Sequence, residues 1–355
     1  MPESSTFDEP RVADALVRLL RGKPLQADLE YLSRLLDEGP GDLLALCQQN
    51  LIVLRSLAAL EANGVSLGGE ATAWQEKERS RIEQGLATIE KIGGHFDRAD
   101  LPFMVIKTGD HFPDQGHDID LLLKDGGATA ERIMRDELGA SPLDRSVSEV
   151  LSAKSNWRCG PTTVEMHVGR LGQVGEHRRL AEELFSHPQQ ARIGPLDAWV
   201  PSAEGRMILA MLQRIYRHFN FRICDVINVA SLVEDKTLNW EDLWRLCRES
   251  GIGYGVGLGI AMVADRLSSL GDDLPLPAGG PIPRPCPFPI SFRRGYYRFS
   301  LRGVVPGVFA RQVGGSVRQG AILQSSRLAF LGFLMAFVGF NIRFFPGIPV
   351  WRKLW

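Results

Sequence analysis

Apolar positions along this chain switch between a helical and a strand-like spacing. Val12, Ala15, Leu16, Leu19 and Leu20 recur at three- and four-residue intervals, the stripe of a helix. Leu43 to Leu60 carries a longer stripe, and Glu76 to Asp97 reads as a charged helix with Ile82, Leu86, Ile89 and Ile92 on one side. From Pro102 the pattern changes to short runs rich in β-branched and aliphatic residues, which predict strands. A helix is expected from Gly126 to Leu138 and a β region from about 147 to 168. Ser202 is placed to cap a helix over Ala203 to Phe219, and further helices are expected at 223–234, 240–249 and 255–270. Leu274 to Pro289 is Pro-rich and reads as a linker. The fold class this predicts is α+β, a small mixed β-sheet flanked by helical segments. Four regions follow: helical at 1–96, a core at 97–200, helices completing a cleft at 201–273, and a linker with a tail at 274–355.

Charge changes the picture at the C-terminal end. No Asp or Glu follows Asp273, and the last 82 residues carry eleven Lys or Arg. The first 273 residues hold 30 basic and 42 acidic residues, so a formal net charge of −1 conceals an acidic body and a basic tail. Such a tail meets phospholipid, nucleic acid or the acidic body itself. Leu328 to Phe340 has no polar side chain, and its extension to Phe345 includes Asn341 and Arg343. It reads either as a helix lying in an anionic membrane surface or as a helix buried in protein, and it is marginal for a full span. Five cysteines without a C-x-x-C spacing suggest reduced thiols and no zinc site. The start is acidic and polar, unlike a secretory signal. The expected location is cytoplasmic, with peripheral attachment to the inner membrane face.

The chemistry concentrates in Asp118-Ile119-Asp120-Leu121-Leu122-Leu123. Side chains alternate along a strand, so Asp118 and Asp120 share one face while Ile119 and Leu121 enter a core. Neighbouring carboxylates repel, and a divalent cation relieves that cost. Thr162 to Val168 is another short strand, and Glu165 stands in it as a lone acid between Val164 and Met166. Paired beside Asp118 and Asp120, it would join the same metal cluster. Its bland alternative is a surface ion pair. His167 reads as a packing or hydrogen-bonding residue sooner than as a metal ligand. Lys107 ends a strand where it would reach a phosphate or simply be solvated, and Gly109 would let backbone approach an anion or merely make a turn. Arg214, Arg217, His218, Arg222 and Asp225 fall at helical spacing on one face, a stripe suited to a triphosphate or simply solvated. The alternating glycines from Gly251 to Gly259 follow a predicted helix and lack the dinucleotide-loop spacing.

Leu101 to Gly109, then Asp118-Ile119-Asp120, then Val164-Glu165-Met166-His167 resemble the polymerase-β-like nucleotidyltransferase superfamily, in its uncharacterised bacterial branch. In that branch a helix with His followed by Asp comes later, here His218 and Asp225. The resemblance implies a metal-dependent transfer of a nucleoside monophosphate from an NTP to an acceptor hydroxyl, with pyrophosphate released. It implies Mg²⁺, or Mn²⁺, held by Asp118, Asp120 and Glu165, which are also the expected catalytic residues. Lys107, Thr108, Gly109, Arg214, His218 and Asp225 are the expected nucleotide and phosphate contacts. Candidate acceptors are a small molecule, a protein or an RNA, and the tail adds an anionic membrane surface through residues 274–355 as a partner. Two departures favour a rival reading. Asp110 follows Gly109 where Gly or Ser is usual, and His117 stands where Arg often precedes the acidic pair. The rival is an inactive nucleotide-binding or scaffold protein attached to the membrane through its tail.

Overall fold

The computed structural model describes residues 7–145, 149–150, 152–172 and 175–318, together with 326 and 329. Among the described residues the N-terminal region forms five helices: α1 (Glu9–Leu20), α2 (Gln26–Glu38), α3 (Gly41–Gln49), α4 (Val53–Ala62) and α5 (Gly69–Arg98). Asp8 caps α1 by accepting the Arg11 N–H, one of the donors a helix start leaves unpaired. The charged helix expected from Glu76 runs 30 residues, beginning earlier at Gly69.

The sheet contains β1 (Phe103–Ile106), β2 (Asp118–Leu123), β3 (Ser141–Pro142), β4 (Lys154–Cys159) and β5 (Thr162–Val168), in the order β1-β2-β5-β4-β3. The β2–β5 pair is parallel and the other pairs are antiparallel, so the sheet is mixed as the sequence suggests. α6 (Gly127–Arg132) continues into a π turn at Ile133–Glu137 rather than remaining α-helical to Leu138. α7 (Arg178–Ser186) and the hairpin β6 (Gln189–Ile193) and β7 (Leu196–Val200) follow.

The two faces of the sheet belong to different cores. Val105, Ile119, Leu121, Leu123, Val164 and Met166 pack with Ile82, Leu86, Ile89 and Phe96 of α5. Met104, Ile106 and Leu122 join the larger helical core on the opposite face. That second face also carries the acidic residues, so the site lies between the sheet and the later helices.

Those helices are α8 (Ala203–Gln213), α9 (Ile223–Glu234), α10 (Trp240–Glu249) and α11 (Gly253–Ser268). Ser202 caps α8 as expected, accepting the Gly205 N–H. The helix does not run regularly to Phe219. Arg214–His218 is a π turn, Phe219 takes a left-handed φ of 57°, and Asn220–Phe221 (β8) is extended. The glycines of α11 serve packing: a Cβ on Gly257 would lie 2.2 Å from the Pro281 carbonyl oxygen, and one on Gly255 would strike the Tyr216 ring.

Beyond the Pro-rich stretch the chain returns to the body. β9 (Ser291–Arg293) and β10 (Tyr296–Arg298) pair with β8 in a three-stranded sheet. α12 (Leu301–Arg318) buries Val304, Val305, Val308 and Phe309 in the helical core. Residues 290–309 are therefore part of the packed body, where the sequence reading had only linker and tail. Among the described residues no helix is long and apolar enough to cross a membrane. Leu328–Phe345 lies outside the described residues, apart from Ala329.

Candidate functional site

Strand register assembles the acids. Ile106 pairs with Asp120 across β1 and β2, and Asp120 pairs with Glu165 across β2 and β5. Because side chains alternate, Asp118, Asp120, Glu165 and His167 emerge on one face. Asp120, Glu165 and His167 each offer a ligand atom, all within 4.8 Å of one another. His167 Nε2 lies 2.7 Å from Glu165 Oε1 and 3.5 Å from Asp120 Oδ1. Its Nδ1 is buried without a hydrogen-bond partner. Two carboxylates and an imidazole, each with a ligand atom in this group, fit a divalent cation, whose hard-oxygen preference the acids satisfy. Asp118 is half-buried on the same face and falls outside this tight group.

Cations surround the acids. The Lys107 ammonium contacts Asp120 and lies 3.8 Å from Glu165. Lys154 Nζ donates to Glu165 Oε1 at 2.9 Å, and Arg217 Nη1 is 3.8 Å from the same oxygen. Lys154 is 4 % exposed, and burial lowers its pKa to about 8 against the pull of Glu165. Burial alone would raise the pKa of Glu165, but His167, Lys107 and Lys154 hold it well below the usual carboxylate range. Asp118 behaves oppositely: the neighbouring Asp120 charge and then burial raise its pKa to about 6.

The expected phosphate turn is built differently from its sequence reading. Lys107 has a positive φ of 63° with ψ −45°, and this bend leads the chain into the short helical turn Thr108–His111. Thr108 Oγ1 accepts the Asp120 N–H at 3.0 Å, so its hydroxyl fixes the β2 backbone. Gly109 is not left-handed; a Cβ there would lie 2.8 Å from Ile193 Cδ1, so side-chain packing is what keeps the position small. Asp110 forms an ion pair with Arg206, which answers the charge that the sequence placed beside a triphosphate. His117 is exposed.

The basic stripe does not lie on one helix face. Arg214, Arg217 and His218 end the α8 segment in the π turn, while Arg222 and Asp225 begin α9. Tertiary packing reunites them. Arg214 Nε lies 2.9 Å from Asp225 Oδ2, and both side chains are buried. Asp225 also accepts the Arg222 N–H at 2.6 Å, capping α9. Lys107, Thr108, Asp118, Asp120, Arg214 and Arg222 line one small cleft. His218 keeps solvent contact, yet desolvation and then the charges of Arg214, Arg217, Arg222 and Lys107 hold its pKa far below 6.5.

Behind the turn, Asp114 accepts the N–H groups of Leu54 and Arg55 at the start of α4, and Arg55 donates to Asn228. Asn228 Nδ2 in turn donates to His111 Nδ1 at 3.0 Å. These residues and Lys154 escaped the sequence reading. Lys154 opens an ordinary strand, and only the β4–β5 register, which pairs it with His167, reveals its place.

Residues 40–268 match a family described as uncharacterised nucleotidyltransferases. No curated protein matches the chain. Two solved structures are similar over about half of it. One is the antibiotic-resistance factor ANT(2'')-Ia, 13% identical, with 54% of this chain and 96% of that one covered at a TM-score of 0.31. The other is an antigenic nucleotidyltransferase-like protein from Paracoccidioides brasiliensis, 12% identical, with 56% and 95% covered at a TM-score of 0.35. The family match spans more than half of the chain, including every strand of the acidic face, and the chain belongs to this family of uncharacterised nucleotidyltransferases.

Proposed function

We propose that this protein transfers a nucleoside monophosphate from an NTP to an acceptor hydroxyl, with Mg²⁺ or Mn²⁺ held at Asp118, Asp120 and Glu165. The observation that carries the reading is the in-register pair Asp120 and Glu165, with Asp118 on the same face and His167 within ligand distance. A divalent ion bound there supplies Lewis-acid stabilisation of the charge that develops on the transferring phosphoryl group.

The chain's own residues do the rest. Lys107, Arg214 and Arg222 line the cleft beside Asp118 and Asp120, where they bind and orient the polyphosphate. The acceptor oxygen attacks the α-phosphorus, and its proton passes to the acidic cluster. The bond from the α-phosphorus to the bridging oxygen breaks, and pyrophosphate leaves with that electron pair. Glu165 stays ionised at neutral pH, which suits a ligand better than a base. Asp225 holds Arg214 and caps α9, so it acts on the nucleotide through that arginine. Thr108 and Gly109 act through the backbone and packing of the turn.

A second reading has one observation in its favour. Glu165 already has Lys154 and His167 as close partners, an arrangement that a non-catalytic binding protein would retain for stability. Radiolabelled NTP with Mg²⁺, offered to cell lysate by wild type and by the Asp118→Asn/Asp120→Asn variant, separates the two. Label transfer lost in the variant supports the transferase. Absence of transfer from all four NTPs by folded wild type retires it. Flotation with anionic liposomes, with and without residues 274–355, tests the membrane partner in the same preparation.

A further inference from the structure

A second cavity of about 430 Å³ lies between β8 and the C-terminal hairpin. That volume falls within the range of small-ligand sites, roughly 300–1,000 Å³. One wall is His218, Phe219 and Asn220; the facing wall includes Ser291, Arg293 and Arg298. Among the described residues the lining contains two guanidinium groups and no carboxylate.

The hairpin backbone that carries both arginines is fixed by the fold. Arg298 pairs with Asn220 across β10 and β8. Its Nε donates to the Arg293 carbonyl at 3.2 Å, which orients the planar group at one edge. The hairpin turn is anchored from the body: Gly295 N donates to Glu9 Oε2 at 3.0 Å, and Asn50 Nδ2 donates to the Gly295 carbonyl at 3.1 Å. Asn50 is fully buried, and its Oδ1 accepts the N–H of Ile223, the first residue of α9. One amide therefore holds both the hairpin and the helix that carries Asp225.

The cavity adjoins the acidic face through consecutive residues. Arg217 comes within 3.8 Å of Glu165, and the next residue, His218, belongs to the cavity wall. The cleft beside Asp118 and Asp120 is lined from the same turn by Arg214, and by Arg222 beyond it. One wall of the cavity lies outside the region shared with the family, which ends at residue 268.

We propose that this cavity binds a small hydroxyl-bearing phosphomonoester through Arg293 and Arg298, and that this compound is the acceptor of the transfer reaction. The acceptor role rests on the transferase reading; the anion site rests on the cavity itself. Two arginines without a competing acid suit a dianionic phosphate, which accepts bidentate charge-assisted hydrogen bonds. Phe219 and Phe299 add apolar wall for a carbon skeleton. Asn220, Ser291 and Ser300 offer polar groups that suit hydroxyls. The phosphate remains intact in the reaction, and only a hydroxyl of the compound attacks the nucleotide.

Calorimetric titration of the full chain with α-glycerophosphate, glycerol, inorganic phosphate and Mg–ATP tests this. Wild type, Arg293→Met/Arg298→Met and Asp118→Asn/Asp120→Asn are compared, each checked for folding by thermal melting. We expect saturable α-glycerophosphate binding that weakens roughly tenfold or more in the arginine variant and is kept in the aspartate variant. Mg–ATP binding should show the reverse pattern, and glycerol should not bind. Unchanged α-glycerophosphate binding in the arginine variant, or none in wild type, overturns the site. Equal affinity for inorganic phosphate overturns the acceptor role, because the skeleton then contributes nothing. Loss of Mg–ATP binding in the arginine variant reassigns the cavity to the donor triphosphate and overturns the proposal. If Mg–ATP binds to none of the three proteins while α-glycerophosphate depends on the arginines, the transferase reading fails and the phosphomonoester site stands.

Discussion

Asp120 and Glu165 occupy paired positions on adjacent parallel strands, 45 residues apart in the chain. A slip of one residue in that pairing would turn Glu165 toward the apolar face against α5, because strand side chains alternate. The hydrophobic partners Ile119, Leu121, Val164 and Met166 hold the register, so the core on one face positions the acids on the other. Removing either acid while keeping its shape should leave the sheet intact. Asp120→Asn and Glu165→Gln are each expected to lower nucleotidyl transfer by on the order of 10²–10³-fold, the scale for loss of one charge-stabilising group. Initial rates of label transfer check this, with far-UV circular dichroism confirming the fold.

The raised pKa of Asp118 makes a stability prediction for the metal-free protein. Its folded value of about 6 lies above the ordinary 3.8, because Asp120 and burial oppose its ionisation. The favourable protonated state is fully populated below the ordinary pKa and is lost as pH rises through about 6. Above that pH the charged group strains the fold. Asp118→Asn should therefore be more stable than wild type at pH 7.5, by about 1–2 kcal/mol once solvent screening is allowed for. The gain should vanish below the ordinary carboxylate range and shrink when Mg²⁺ is added to wild type. Urea denaturation across the pH range reads it.

His111 gives the opposite slope. It is buried, and burial followed by the charges of Arg55, Arg214, Arg222 and Lys107 holds its pKa well below 6.5. A depressed folded value means stability present above pH 6.5 and lost as pH falls. The His111 contribution should reach about 1.4 kcal/mol per pH unit below that point. His111→Gln removes the titration and should flatten the stability curve between pH 6.5 and 5. An unchanged slope in the variant would show that other groups carry the acid sensitivity.

Arg214 is 2 % exposed and has Asp225 as its ion-pair partner. Asp225→Asn leaves that guanidinium buried against a neutral group and should cost about 3–5 kcal/mol. Arg214→Met in the same chain removes the stranded charge and should recover part of the loss. A denaturation double-mutant cycle measures the coupling. Independent, additive effects would mean that the two side chains do not act as a pair.

Most of the elements, and the two aspartates on one strand face, are legible in the local sequence pattern. Helical stripes at 3.6-residue spacing and short β-branched runs are local properties, and most of the helices and the two acid-bearing strands follow from them. Alternation alone placed Asp118 and Asp120 on one face and Ile119 and Leu121 on the other. The π turn at Arg214–His218 and the left-handed Phe219 were illegible, because an unbroken helical spacing carries no mark of where packing widens and ends a helix. Which residues meet depends on packing between distant segments. Lys154 reaches Glu165, Arg206 reaches Asp110, and Asn50 joins Gly295 to Ile223 across gaps that no periodic pattern encodes. The C-terminal hairpin is the clearest case. Its apolar residues are too few to signal a core alone, and Phe292, Tyr297 and Phe299 become buried only where the helical body and β8 supply the opposing surface.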